Sequence, residues 1–224
     1  MKKILLASIL SVLAIFAAGC GDEGKSQLRV VHASPDAPNV DVAVDGKVVL
    51  NNVPYGTASD YLAVKSGSRR ITVAPTGSTT NVIDVKTDLA NKKHYTVLAA
   101  GLVADIAPLQ LTDDTTAPGS GKIRLRVVHG APSAGSVDVY VTAPGADIST
   151  ATPTLSNVAF KAISDYQEVP AGSYEIRVTL TGTKTVAIDS GTVALTAGQV
   201  RTVVALDAVG GGGPFTALVL ADLN

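Results

Sequence analysis

Two histidines, His32 and His129, each close a copy of the same five residues, Leu-Arg-Val-Val-His, and two aspartates, Asp60 and Asp165, each precede a tyrosine farther along. A histidine beside a carboxylate can serve as a general base whose ring is held in one tautomer, and the chemistry it would run is hydrolysis. Hydrolysis by that route also needs an activated nucleophile, and no G-x-S-x-G elbow occurs in the chain. The competing reading is structural: each imidazole ties down the turn that follows it, a need common to two copies of one fold. The residues favour structure, and no catalytic residue is assigned. Arg29 with Asp41, and Arg126 with Asp138, read as outward members of neighbouring strands. Such exposed pairs contribute a few tenths to about 1 kcal/mol and mark a solvent face.

Asp36, Asp41, Asp113 and Asp114 are oxygen donors of the kind calcium takes, but the spaced loop D-x-[DN]-x-[DN]-G is missing. With three histidines and one cysteine, zinc has too few ligands. No metal and no other cofactor is expected. The charge balance of 18 basic and 19 acidic residues offers no field to a phosphate backbone, so nucleic acid is excluded as a partner. Trp is absent and Phe numbers three, which leaves few platforms for stacking sugars or bases.

The elements that would position these residues are written twice. Position n aligns on n+97 from Leu28 through Val42, then on n+105 from Asn52 through Asp84, so the second copy has gained eight residues in between, and Leu109, Leu111 and Asp113 recur as Leu218, Leu220 and Asp222. The apolar period within each copy is two: Val40, Val42 and Val44 alternate with Asp41 and Ala43, and Tyr174, Ile176 and Val178 alternate with Glu175 and Arg177. Asp45-Gly46 between two such runs is a hairpin signal. Short strands separated by Gly, Pro, Asn and Asp, with no helical period, predict an all-β chain of two tandem immunoglobulin-like β-sandwich domains. The boundaries follow as a signal peptide over 1–19, a tether over 20–27, a first sandwich over 28–114, a flexible linker over 115–122 and a second sandwich over 123–224. Two segments break the symmetry: the insertion Thr142 to Thr154, and the glycine run Gly210 to Gly213. Loops on a rigid sandwich commonly mount binding residues. The glycine run reads as a tolerated spacer.

Lys2-Lys3, the apolar run from Ile4 to Ala18, and Ala17-Ala18-Gly19-Cys20 have the layout of a secretory signal. Cys20, the lone cysteine, follows a small-small pair, and the arrangement resembles the lipobox of bacterial lipoproteins. Ala17 stands where that box most often has leucine. The resemblance implies cleavage before Cys20 and its lipidation by acyl chains of the palmitate class. Gly21 rather than Asp after the cysteine then points to the outer membrane or cell surface.

Taken with that leader, the stretch from Arg29 to Val42 (RVVHASPDAPNVDV), the Asp45-Gly46 hairpin and the Ser59-Asp60-Tyr61 element resemble the bacterial family known as domain of unknown function 4397. The second copy departs from the pattern with Gly130 to Gly135 in place of the Ala-Ser-Pro-Asp-Ala-Pro turn. The resemblance implies an envelope protein of β-sandwich type and supplies no catalytic residues. The expected function is a non-enzymatic binding or scaffolding module of the bacterial envelope, anchored to the membrane through Cys20 and engaging an envelope protein or glycan. The alternatives are a structural spacer and, more distantly, an envelope hydrolase using His32 or His129.

Overall fold

The computed structural model describes residues 24–224; the leader and Cys20 lie outside them. The first half contains β1 (Lys25–Ala33), β2 (Val40–Val44), β3 (Lys47–Val53), β4 (Leu62–Lys65), β5 (Gly67–Pro75), β6 (Ile83–Leu89), β7 (His94–Ala100) and β8 (Ala107–Asp113). The second half repeats them as β9 (Lys122–His129), β10 (Val137–Thr142), β11 (Leu155–Val158), β12 (Gln167–Pro170), β13 (Gly172–Leu180), β14 (Val186–Leu195), β15 (Val200–Leu206) and β16 (Thr216–Leu223). Each half is a sandwich of two four-stranded sheets. The orders are β4-β1-β7-β8 on β3-β2-β5-β6, and β12-β9-β15-β16 on β11-β10-β13-β14. Pairing is antiparallel except between β1 and β7 and between β9 and β15, which run parallel.

The alternation Val40, Val42, Val44 turns three valines into the first core, while Asp45 and Gly46 take φ values of 51° and 79° to close the β2–β3 hairpin. β1 departs from alternation. Leu28 and Val30 face the first core, yet Val31 and Ala33 are buried too, against Leu98, Ala100 and Leu111 of the first half and Val128, Val204, Leu206 and Leu220 of the second. The sheets β4-β1-β7-β8 and β12-β9-β15-β16 therefore pack on each other through a third apolar core. Strands covered on both faces read as continuous apolar runs, as Thr96 to Ala100 and Thr202 to Leu206 do.

This corrects the expectation of two units on a flexible connector. The halves share a buried junction, and Arg124 ties the connector to β9 through hydrogen bonds to the Asp114 carboxylate (2.7 Å) and the Thr116 carbonyl (3.1 Å). The glycine run also joins the halves, since Gly210 N–H donates to the Pro35 carbonyl at 2.7 Å. The insertion folds back on the outer face of its sheet. Ile148 is buried there, Gly145 N–H donates to Glu175 (2.6 Å), and the Lys184 ammonium reaches the Ala151 carbonyl and the Tyr140 hydroxyl.

Candidate functional site

Arg29 and Arg126 lie at the heart of the junction, each only 3% exposed. The expected pairs with Asp41 and Asp138 do not form, because β1 and β2 belong to different sheets and the arginine side chains point away from their own cores. Arg29 instead crosses to the second half, donating to the Asp222 carboxylate and, at 2.9 Å, to the Ala221 carbonyl. Arg126 makes the reciprocal crossing to Asp113 (2.5 Å) and the Thr112 carbonyl (3.0 Å). Thr96 and Tyr61 donate to Asp113 at 2.5 and 2.7 Å, and Thr202 and Tyr166 donate to Asp222 at 2.6 and 2.8 Å. Each guanidinium also faces a tyrosine ring, at 4.6 Å from Tyr61 and 4.5 Å from Tyr166. Burial, and then the neighbouring carboxylate, push both tyrosine hydroxyls far above their ordinary pKa.

His32 and His129 are fully buried. His32 Nε2 faces the Pro38 carbonyl at 3.0 Å, so it carries the proton and donates, while Nδ1 accepts from Ser34 N–H at 3.4 Å. His129 spans its own turn in the same way, to Gly135 (2.7 Å) and Ala131 (3.3 Å). With both ring nitrogens engaged, neither is turned toward Asp60 or Asp165, whose side chains are exposed. In the Ser-Asp-Tyr element it is Ser59 and Ser164 that accept the N–H groups of Val30 and Val127, and the tyrosines that reach the junction. Burial lowers the pKa of both histidines against the opposing carbonyl hydrogen bonds.

Asp41 accepts from Asn52 N–H (2.7 Å) and the Thr76 hydroxyl (3.0 Å), and Asp138 accepts from Asn157 N–H (2.8 Å) and Gly182 N–H (3.0 Å). Asn52 and Asn157 sit at φ 54° and 53°, in the left-handed region that asparagine tolerates. These aspartates hold a bulged strand end, and the amide donors keep their pKa below the ordinary carboxylate value. Among the described residues no three His, Cys, Asp or Glu side chains group as metal ligands would.

A further departure from two-fold likeness is a cleft of about 230 Å³ between the sheets of the second half. It enters at the β14–β16 edge and reaches Leu125 and Val127 of β9 and Val139 of β10 on the far side. The register explains it. Tyr95, buried in the first core with its hydroxyl accepting Ala90 N–H, occupies the β7 position that β15 gives to Arg201. Arg201 turns to the strand end, donating to the carbonyls of Val200 (3.3 Å) and Leu223 (3.1 Å), and the space of the ring is left open. Pro108 on β8 becomes Ala217 on β16. The inward side chain of Val85 gives way to a bulge at Ser190-Gly191, whose serine accepts Ile176 N–H. At the rim, the first half bridges its edge with a hydrogen bond from Thr87 to Gln110, positions that carry Val193 and Val219 in the second half. The matching edge of the first half has an opening of about 210 Å³, confined to β5–β8 and walled by Lys86, Thr87, Pro108 and Gln110.

A family model described as a domain of unknown function, DUF4397, matches residues 26–140 and again 141–224. The chain belongs to the DUF4397 family. Its two DUF4397 copies meet the sheets unevenly, since the second match begins inside β10, whereas the sheets divide between Asp113 and Lys122. No curated protein matches the chain. Among solved structures, an alpha-glucan-binding streptococcal virulence factor is 12% identical with a TM-score of 0.26 over 80% of this chain and 92% of its own. The family CBM26 module of Eubacterium rectale Amy13K, solved with maltoheptaose, is 12% identical with a TM-score of 0.26 over 88% and 96%. These scores carry no argument about a ligand. In this DUF4397 protein Asp113, weighed in the sequence only as a calcium donor, and Asp222, Thr96, Thr202 and Arg201 are the residues whose roles were not read there. The first four recur at matching repeat positions, and Arg201 is visible as the place where His-Tyr-Thr-Val becomes Val-Arg-Thr-Val.

Proposed function

We propose that this DUF4397 protein is a non-enzymatic binding module of the bacterial cell envelope, held on the outer membrane or cell surface by lipidated Cys20 and taking its ligand in the cleft of the second sandwich. The cleft carries this reading. A close-packed interior tolerates few voids larger than a water molecule, and here the second half keeps a void that runs from the open edge to the far side of its core, whereas the opening at the matching edge of the first half stops at β5–β8. The histidines and junction aspartates support the non-enzymatic part, because their polar atoms are spent on turns and on joining the halves. Xenon, a small apolar probe, tests occupancy: it is expected to shift the methyl NMR signals of Val139, Ile176 and Ile188, and to leave them unmoved in Arg201→Tyr. No shift in the unmodified chain would leave the spacer reading in its place. The anchor has its own test. Cys20→Ser should move the protein out of the lipid-bound membrane fraction, and retention would refute lipidation.

A further inference from the structure

The cleft also selects a ligand chemistry. Resting on the reading of the cleft as the binding site, we propose that it takes a linear aliphatic chain ending in a carboxylate, the chain lying between the sheets and the head group meeting Arg201.

Three observations favour this chemistry. The wall offers an oligosaccharide almost nothing: its polar side chains are Ser190, Gln199 and Arg201, and the first two are already bonded to backbone at Ile176 and Thr196. No aromatic side chain lines it, so a ring would find no stacking platform. Arg201 donates to protein only through Nη1, leaving Nε and Nη2 without an acceptor among the described residues. Burial holds its pKa below the usual arginine value, with Asp222 opposing. A half-exposed guanidinium with Nε and Nη2 free beside an apolar cleft is the complement of an aliphatic carboxylate, and the planar fork suits two parallel bonds to it. The size follows from the volume. An apolar cavity of about 150 Å³ holds benzene, so 230 Å³ corresponds to about nine carbons. The entrance agrees, since Val219 is 55% exposed at the rim.

The relation to the first copy strengthens the case. Tyr95 to Arg201, Pro108 to Ala217, Thr87 to Val193 and Gln110 to Val219 all either enlarge the interior or make its rim apolar. Random drift in a core would as readily overfill it.

The test uses the chain from residue 20 to Asn224 carrying Cys20→Ser, which contains every contact of both sandwiches, titrated with decanoate and with decanol by calorimetry and methyl NMR. Decanoate is expected to bind at least tenfold more tightly than decanol. Arg201→Gln should bring the two within twofold of each other, and Arg201→Tyr, which restores the first half's residue, should abolish both and raise the melting temperature. Equal binding of decanol and decanoate would overturn the head-group assignment while the cleft stood as a binding site. Silence with decanoate, decanol and xenon alike would overturn both. With binding shown, phosphatidylglycerol, whose acyl chains are esterified and carry no carboxylate, is expected not to compete once decanoate lost to the vesicles is accounted for; direct competition by it would overturn the carboxylate assignment.

Discussion

Arg29 illustrates how a side chain of unambiguous type can have an unreadable partner. Its spacing from Asp41 suggested a surface pair; its contacts are with Asp222, at the other end of the chain. A buried pair is a poor stabiliser as a pair but a costly one to break, because the partner stays behind as an uncompensated charge. Arg29→Met should therefore destabilise by about 3 to 5 kcal/mol in chemical denaturation. Adding Asp222→Leu should recover only part, since Tyr166 and Thr202 would lose their acceptor. His32 and His129 set a pH limit. Their folded pKa is depressed below the ordinary 6.5, so below pH 6.5 the unfolded chain takes up protons that the fold refuses. Melting temperature should be level above neutrality and fall as pH drops through 6.5 toward the depressed values, well before Asp41 and Asp138 begin to titrate. A profile flat down to pH 5 would contradict buried neutral rings. His32 was legible as a turn-binding residue from its place before Ala-Ser-Pro, whereas the aspartate that matters to Arg29 was not, because nothing local links positions 29 and 222.

At the scale of the strand, period-two alternation predicts β2, with one face in the core and the other half-exposed, and the Asp-Gly turn places β3 after it; β13 alternates in sequence as well, but Arg177 and Thr179 on its outer face are buried. β1, β7, β9 and β15 hold the harder information. In β7 and β15 the apolar runs Thr96 to Ala100 and Thr202 to Leu206 are the mark of burial on both faces, whereas in β1 and β9 arginine and histidine interrupt the run and are buried with it, so the second packing surface of each sandwich was not read from the sequence. The cleft was illegible for a different reason: it is a difference between two cores, and only the paired register shows which residue replaces which. In the first half, Tyr95→Ala should open a counterpart void and cost about 3 kcal/mol or more, measured by urea unfolding. Shortening the insertion between Thr142 and Thr154 to an Asp-Gly turn should uncover Tyr140, now 2% exposed, and lower the melting temperature without touching the cleft.

For the whole molecule, the third core and the crossed arginines make the two sandwiches one cooperative body. Calorimetry should record a single unfolding transition; two well-separated transitions would mean that the junction couples the halves weakly. The reciprocity of the junction has a further meaning. A face that fits its own duplicate, arginine of each onto aspartate of the other, is by geometry an isologous dimer interface. Duplication in one chain turns such an encounter into an intramolecular event, at an effective concentration on the order of millimolar for a short tether. Assembly then no longer depends on how many copies the cell makes. It also frees one copy to drift from the other, and the void beside Arg201 is where that freedom has been used.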